Sequence, residues 1–249
     1  MTTTAERVLI AGASGDTGRE LLAVLHPTDL TVQATTRSYA NADELDRLGA
    51  DEIVVGDFFE PADVVRAVRG CDIVYSTLGT PPGPRHFTGG KLIDRTGTTN
   101  LVTAAIATDV SHVVIQSAIG VGNSKPGMSR PVRLLIRATL AAKRDAEIAL
   151  RRSGLDYTIV RPGKLTNDAP SGEVLVGEGG DSVSGSISRA DVAQVMATAP
   201  FTPAATNRTF EIVGRDGLAN PPRNLVNVEW NGDRLGIDPD QLRPSLAHP

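Results

Sequence analysis

Three glycines stand at a spacing typical of a phosphate-binding turn. Gly12, Gly15 and Gly18 form the pattern Gly-x-x-Gly-x-x-Gly, between the apolar run 7–11 and leucines at helical spacing. Gly12 would permit a sharp turn, Gly15 a close approach of the backbone to a pyrophosphate, and Gly18 close packing of the helix. The N–H groups at the helix start would face the phosphates. An ordinary strand-to-helix turn is the alternative, but the place of the loop after a first strand favours nucleotide binding.

The residues after the second apolar run bear on the choice of nucleotide. A site for NAD places a carboxylate about 20 residues past the glycines, where it binds the ribose 2′-hydroxyl. This chain has Thr35-Thr36-Arg37 there. A guanidinium can bind a 2′-phosphate through two charge-assisted hydrogen bonds. The position therefore favours NADP(H), with a solvated loop arginine as the alternative.

Short apolar runs alternate with helical patterns along most of the chain. The predicted strands cover residues 7–11, 30–35, 53–55, 73–75, 113–115, 157–160 and 209–213, and residues 174–176 form a further short apolar run. Helical spacing is found near residues 21–25, 45–48, 61–68, 93–106 and 131–152, and after a capping-box pattern at 188–191. Fully apolar strands separated by helices predict an α/β fold with a doubly wound parallel sheet.

The pattern changes after Pro162. Residues 163–185 are rich in glycine and proline, and no second hydrophobic core is evident. We therefore expect one domain over residues 1–218, with a small substrate-side region from about residue 163. Residues 219–249, rich in proline and asparagine, are predicted to be a tail that either packs across the domain surface or is partly disordered.

The composition excludes several classes of protein and site. The chain of 249 residues has a net charge of −4, 4 % aromatic residues and a single cysteine, Cys71. A nucleic-acid binder usually has a basic excess and stacking aromatics, so we expect no nucleic-acid partner. One cysteine rules out an internal disulfide and a multi-cysteine zinc site, and no cluster has metal-ligand spacing.

The same features set expectations for the protein's surroundings. No apolar run approaches the roughly 18 residues that would span a bilayer, so we expect no membrane partner. Residues 1–7 lack the basic and apolar regions of a secretory signal. We expect a cytoplasmic protein, consistent with its cysteine usage, that acts on a small-molecule substrate as a monomer or a homodimer.

Ordered motifs carry a resemblance to a known family. After the glycine loop they are Gly56-Asp57, Ser76-Thr-Leu-Gly79, Gly97 with Asn100, Gln116-Ser-Ala-Ile-Gly120, Ala142-Lys-Arg-Asp-Ala-Glu147, Leu155-Asp-Tyr-Thr-Ile-Val-Arg-Pro-Gly163 and Ile187-Ser-Arg-Ala-Asp-Val-Ala193. They cover residues 6–213, and the ordered set is specific although each motif is weak alone. On these residues the chain resembles the short-chain dehydrogenase/reductase superfamily, and more narrowly its atypical branch of NAD(P)-binding, NmrA-like proteins.

The resemblance implies a Rossmann fold that binds NADP(H). The cofactor-binding residues that it implies are Gly12, Ser14, Gly15, Asp16, Thr17, Gly18, Arg37, Asp57, Phe58, Leu78, Gly79, Lys143 and Pro162. By its match to the Gly-Asp motif, Asp57 would contact the adenine amino group. It could also cap the helix that includes Pro61, because Asp is a favourable N-cap residue.

The resemblance also implies a catalytic group from which one residue is missing. Reductases of the superfamily usually carry Tyr-x-x-x-Lys, in which the lysine lowers the tyrosine pKa and holds the nicotinamide ribose, while the tyrosine donates a proton. Lys143 matches the lysine, but Thr139 stands in the tyrosine's place. An aliphatic hydroxyl is too weak an acid to replace a phenol whose pKa is lowered. Lys143 could instead be a surface lysine among neighbouring arginines.

Two further catalytic candidates are weaker. The family's serine falls on Ser117 or on Ala118, because the register is ambiguous by one residue. His86 lies in a glycine- and proline-rich loop beyond the fourth strand, at the sheet edge where such folds bind ligands. His86 could orient a substrate or be a plain loop histidine. His112 is expected to be structural, and Cys71 to be a small core residue.

Three functions remain open from the sequence. Residues 132–143 resemble the flavin reductase and biliverdin reductase-like members of the branch, which also lack the tyrosine. The first hypothesis is therefore an NADPH-dependent reductase of a conjugated acceptor such as a quinone or a flavin. The second is a non-catalytic NADP-binding redox sensor, regulator or assembly factor. The third is a sugar epimerase-like enzyme, for which the C-terminal part is short.

Overall fold

A computed structural model of the protein describes residues 6–80, 91–124 and 136–237. The strands are β1 (Arg7–Ala11), β2 (Thr31–Thr36), β3 (Glu52–Val55), β4 (Ile73–Ser76), β5 (His112–Gln116), β6 (Asp156–Pro162), β7 (Lys164–Thr166), β8 (Val174–Glu178), β9 (Ser186–Ser188) and β10 (Arg208–Gly214). The α-helices are α1 (Asp16–Leu25), α2 (Ala42–Arg47), α3 (Pro61–Val68), α4 (Ile93–Ala107), α5 (Arg137–Arg151) and α6 (Arg189–Thr198).

Eight strands form one sheet in the order β3-β2-β1-β4-β5-β6-β10-β8. All neighbouring pairs are parallel except β10 with β8, which is antiparallel at the edge. The order reverses between β2-β1 and β4, which creates the crevice where doubly wound sheets bind ligands. The predicted doubly wound parallel sheet is confirmed.

The strands are apolar because both faces of the sheet are covered. Successive residues of β1 belong to two different cores: Val8 and Ile10 pack on one face, and Leu9 on the other. Helices α1 and α6 pack together over the first face, and α3, α4 and α5 lie against each other over the second. This alternation explains why the sequence shows continuous apolar runs rather than a period of two.

The glycine-rich region after β6 contains three strands, β7, β8 and β9, that the sequence did not predict. Strands β7 and β9 pair in parallel over three residues each. A Cβ on Gly163 would lie 2.4 Å from the carbonyl oxygen of Gly185, so only a glycine at position 163 permits this approach. The predicted cap of α6 is confirmed, because the Ser188 hydroxyl accepts a hydrogen bond from the Asp191 N–H at 3.0 Å.

One predicted boundary is wrong. The helix predicted over residues 131–152 begins at Arg137, because Ile136 has a non-helical backbone; residues 131–135 lie outside the described part of the chain. Of the two alternatives for residues 219–249, the described part, residues 219–237, packs across the domain surface, with Val228, Trp230 and Leu235 buried among mostly exposed neighbours. Trp230 is 3 % exposed and meets Phe210 edge to face, with ring centroids 5.7 Å apart. Within the described residues, no helix combines the length and the apolar character that crossing a bilayer requires.

Candidate functional site

The glycine loop joins β1 to α1 at the point where the strand order reverses. Gly12 has a φ of +90°, a conformation that L side chains rarely adopt, and its carbonyl accepts a hydrogen bond from the Gly15 N–H at 3.0 Å. A Cβ on Gly18 would lie 2.3 Å from the Gly12 carbonyl oxygen, so α1 packs directly on the loop. The N-cap residue of α1 is Gly15, which has no side chain to accept hydrogen bonds from the first N–H groups of the helix. Its first N–H groups and positive dipole end are therefore available to an anion.

The loop opens into a cleft of about 560 Å³. The lining residues come from the glycine loop and from the chain that follows β2, β3 and β4: Gly12, Ser14, Gly15, Thr35, Thr36, Arg37, Gly56, Phe58, Phe59, Thr77, Leu78, Gly79, Thr80, Lys91 and Ile93. The cleft thus follows the carboxyl edge of the sheet across the switch point. Ser14, Phe58, Leu78 and Gly79, which were expected at the cofactor, all line it.

Arg37 follows directly after β2 and is exposed at the cleft. Among the described residues it makes no ion pair. No carboxylate ends β2, whose last two residues are the buried Thr35 and Thr36. Arg37 thus lies in the same cleft as the N-terminus of α1, which can bind a phosphate. This arrangement fits a dinucleotide that carries a third phosphate.

Asp57 does not cap the following helix. The N-cap of α3 is Glu60, and the Asp57 carboxylate instead accepts a hydrogen bond from the Phe59 N–H at 3.0 Å. Asn100 holds the same loop by donating to the Phe58 carbonyl at 3.0 Å. The helix-capping alternative is therefore wrong, and Asp57 is exposed between two residues that line the cleft.

Lys143 lies beside the far end of the cleft, where α5 passes the carboxyl ends of β4 and β5. Its ammonium is 3.0 Å from Oδ1 of Asp94 and donates to the carbonyl of Gln116 at 3.2 Å. The side chains of Lys143 and Asp94 are 15 % and 0 % exposed, so the surface-lysine alternative is wrong. Burial alone would raise the pKa of the Asp94 carboxyl, but Lys143 and the hydrogen bonds from Thr80 hold that pKa below its usual value.

Ser117 points its hydroxyl proton into a buried charge network. It donates to Oε1 of Glu147 at 2.6 Å, and Arg161 binds both oxygens of the same carboxylate at 2.8 Å and 2.6 Å. Arg161 also donates to Asn123 at 3.0 Å. Burial alone would raise the pKa of Glu147, but Arg161 and Ser117 hold it below its usual value. With its proton engaged, Ser117 offers a substrate only acceptor lone pairs.

The other predicted residues lie in different surroundings. Thr17 and Gly18 are buried in α1, and Asp16 at its start is 3.4 Å from Arg189. Pro162 is buried in β6, where its carbonyl accepts from Ile119. Thr139 is half-buried on α5, one turn before Lys143. His86 lies outside the described residues.

Two other titratable groups have structural surroundings. His112 is 4 % exposed and lies 3.0 Å from the Thr158 hydroxyl, and burial lowers its pKa to about 4. Burial raises the pKa of Cys71 to about 11, which leaves it a thiol at neutral pH. Within the described part of the chain, no group of His, Cys, Asp and Glu is arranged to hold a metal ion.

The sequence analysis missed three charged residues that build the far end of the site: Asp94, Glu147 and Arg161. Glu147 and Arg161 stood in motifs that carried the resemblance, without an assigned role. For Asp94 a signal existed, because it shares one helical face with Thr98 and Leu101, which are buried. An acidic residue on a buried helix face needs a partner.

Comparison with known proteins places residues 12–203 in a family described as NAD(P)H-binding. An uncharacterised chloroplastic protein of Arabidopsis thaliana is 35 % identical over 217 residues, which cover 84 % of this chain and 77 % of that protein. An uncharacterised sugar epimerase of Bacillus subtilis is 27 % identical, over 84 % of this chain and 95 % of that protein. An NAD(P)H azoreductase of Xenophilus azovorans is 25 % identical, over 85 % and 69 %.

Solved structures share the fold. A protein of Bacillus halodurans, described as a candidate NAD-dependent epimerase/dehydratase, has a TM-score of 0.74 and 32 % identity, covering 87 % of this chain and 96 % of that chain. An anaerobilin reductase of Escherichia coli O157:H7 has a TM-score of 0.74 and 24 % identity, covering 86 % and 99 %. A short-chain dehydrogenase/reductase of Veillonella parvula in complex with NADP has a TM-score of 0.69 and 19 % identity, covering 88 % and 99 %.

Proposed function

Because the chain belongs to the NAD(P)H-binding family, we propose that it is an NADPH-dependent reductase that transfers hydride to a conjugated small-molecule acceptor. The family match also confirms the expected relationship to atypical short-chain dehydrogenase/reductases, while the narrower NmrA-like affiliation stays a prediction. One observation carries the proposal: the cleft contains the start of α1 and Arg37, the fixed Lys143 lies beside it, and among the described residues no tyrosine or histidine lines the cavity around the lysine.

The preference for NADPH rests on Arg37. The uncapped start of α1 would hold the pyrophosphate, and Arg37 would bind the 2′-phosphate. Gly56, Phe58 and Phe59 line the same end of the cleft and would surround the adenosine. When bound, NADPH supplies the hydride.

The acceptor class follows from the protonation states at the lysine end. Thr139 is a weak acid, Ser117 donates its proton to Glu147, and Asp94 is held as a carboxylate. Reduction of an isolated ketone makes an alkoxide, a strong base that needs a positioned acid, typically worth about 10²–10⁴-fold in rate. Reduction of a quinone, flavin or azo compound makes a delocalised anion that solvent can protonate. Azo compounds and bilins, named for two of the similar proteins, are also conjugated molecules.

The test is NADPH oxidation with two panels of acceptors, followed by absorbance. We expect turnover with quinones, free flavins or azo dyes and none with simple ketones. Gly15→Val serves as the control in which cofactor binding is blocked. Robust reduction of an unactivated ketone would mean that an acid is present, with His86 the first to replace. If NADPH binds tightly but is not oxidised with either panel of acceptors, the result would favour the redox sensor or regulator.

An epimerase is the second candidate, because two of the similar proteins carry that name. The region between β6 and α6 that would hold a sugar is short: it contains the three-residue strands β7 and β9 and the edge strand β8 of the main sheet. Incubation with nucleotide sugars distinguishes the candidates: an epimerase interconverts sugars with no net consumption of cofactor. Formation of an epimeric product by the unmutated protein, but not by Gly15→Val, would replace the reductase proposal.

A further inference from the structure

We propose that Asp94 is a positioning residue, whose carboxylate fixes the ammonium of Lys143 at the nicotinamide end of the cleft and links it to the loop of residues 77–80. The inference rests on the proposed function, since Lys143 is taken to meet the cofactor's ribose. It assigns a role to a buried carboxylate that the chemistry of the reaction does not otherwise use. Asp94 acts through Lys143 and is not itself proposed to touch the reacting atoms.

The contacts of Lys143 leave its ammonium open to a ligand. An ammonium carries three N–H donors. One donates to the Gln116 carbonyl at 3.2 Å, and the ammonium forms an ion pair with Oδ1 of Asp94 at 3.0 Å. The side chain retains 15 % exposure, so a ligand can reach the ammonium. These two contacts fix the long and flexible side chain of Lys143 before the cofactor binds. The entropy of its rotamers is therefore not lost when the cofactor binds.

The same carboxylate ties the lysine to the phosphate end. Oδ2 of Asp94 accepts from the Thr80 N–H at 2.8 Å, and the Thr80 hydroxyl accepts from the Ile93 N–H at 3.2 Å. At the other end of this loop, the Thr77 hydroxyl donates to the Gly12 carbonyl at 3.1 Å. Residues 77–80 therefore connect the glycine loop to Asp94, and the Lys143 ammonium is placed relative to both.

The charges of Asp94 and Lys143 indicate that this pair positions the lysine ammonium and does not supply an electric field to the cleft. Asp94 and Lys143 carry opposite charges inside the protein, so together they add little net charge to the cleft. A second ion pair, Arg95 with Asp145 at 2.7 Å, joins the same two helices, with side chains 55 % and 48 % exposed. Exposed pairs of this kind contribute little to stability. Arg95–Asp145 therefore provides a matched control for the buried pair.

The experiment compares Asp94→Asn with Asp145→Asn for two ligands, by calorimetric titration. NADPH reaches both ends of the proposed site, whereas adenosine 2′,5′-bisphosphate reaches only the glycine loop and Arg37. For Asp94→Asn we expect the Kd of NADPH to rise about tenfold or more, and the Kd of the bisphosphate to change less than twofold. Asp145→Asn should change neither. Unchanged bisphosphate binding also shows that the variant is folded.

If Asp94→Asn is unstable because it leaves the Lys143 ammonium without its counter-ion, a double variant that also carries Lys143→Ala removes that ammonium and keeps the test decisive. The double variant that combines Asp94→Asn with Lys143→Ala should bind NADPH as weakly as Lys143→Ala alone. The asparagine oxygen can still accept from the Thr80 N–H, so the lost negative charge affects the cofactor only through the lysine. Equal weakening of both ligands, or no weakening of NADPH, would overturn the positioning role. If the unmutated protein reduces conjugated acceptors in that case, the proposed function stands without it. If the unmutated protein does not bind NADPH at all, both proposals fail.

Discussion

The two ends of the cleft are built by different means. At the phosphate end, the backbone of consecutive residues 12–18 forms the proposed phosphate site, and the side chain expected to contribute, Arg37, is exposed and makes no ion pair with any described residue. At the lysine end, side chains from distant parts of the chain meet in buried contacts: Ser117 and Glu147 are 30 residues apart, and Glu147 and Arg161 are 14 apart. One end is a local motif and the other is a tertiary assembly.

This difference separates binding from stability. At the phosphate end, Gly15 and Arg37 are exposed, so a substitution at either position can remove binding and leave the fold intact. A substitution at the lysine end leaves an opposite charge unpaired inside the protein, as at Glu147 and Arg161, which are 1 % and 3 % exposed. Such a change is strongly destabilising, because the remaining charge has lost both water and partner.

The largest effect is expected for Glu147→Gln, which leaves Arg161 buried without its counter-ion. We expect the free energy of unfolding in urea at neutral pH to fall by about 3–5 kcal/mol. Glu44→Gln is the matched control, because Glu44 pairs with Arg19 at 2.9 Å with both side chains about 40 % exposed; its loss should be below about 1 kcal/mol. If Glu147→Gln and Glu44→Gln lost similar free energies of unfolding, the claim that the lysine end depends on buried charge pairs would be wrong.

The same variant predicts a pH dependence. The pKa of Glu147 is lower in the folded protein than in the unfolded chain. Its stabilising contribution is therefore complete above the unfolded pKa of about 4.3 and is lost as pH falls through the folded value. The gap between the unmutated protein and Glu147→Gln should narrow in that acid range. Urea unfolding at several pH values measures it, and a gap that widened in acid would contradict the assigned direction.

The next effect concerns Gly15 and Gly18, which look alike in the sequence. Gly15 has an ordinary φ of −81°, and an added Cβ would lie 3.3 Å from the Gly12 carbonyl oxygen. Gly15→Val should therefore fold, but fill the space that the phosphates need and weaken NADPH binding by about 100-fold or more, by fluorescence titration. Gly18→Val meets backbone at 2.3 Å and should lose stability as well. Normal NADPH binding by Gly15→Val would exclude the loop as the phosphate site.

The contrast between the ends also explains how far sequence reasoning reached. The glycine loop, the residues after β2 and the strands were predictable because each depends on neighbours in sequence. The pairing of Asp94 with Lys143 was not, because it depends on where α4 and α5 pack, and no local pattern sets that. Strands β7 and β9 escaped prediction for the same reason: three residues each, they exist only through their pairing.

A smaller effect, confined to the phosphate end, is expected at Arg37. We expect the unmutated protein to bind NADPH at least about tenfold more tightly than NADH, because a charge-assisted contact to the 2′-phosphate contributes about ten- to a hundredfold in affinity. Arg37→Ala should remove most of that difference and leave NADH binding and the urea midpoint unchanged. Calorimetric titration with both nucleotides measures it. Equal affinities in the unmutated protein would contradict the assignment.

The smallest effect is expected at Thr139, and it sharpens the comparison within a single helix. Thr139 and Lys143 are one turn apart on α5, but only the lysine has fixed contacts at the cleft. Lys143→Ala should weaken NADPH binding or turnover about tenfold or more, as expected for the loss of a charge-assisted contact. Thr139→Ala should change turnover with a conjugated acceptor less than about threefold, because a hydroxyl that is too weak an acid to protonate the product contributes little to the rate. Steady-state kinetics with a quinone or flavin measures both variants. A large loss in Thr139→Ala, with NADPH affinity retained, would mean that the hydroxyl binds the acceptor, and the lysine end would then select substrates as well as hold the cofactor.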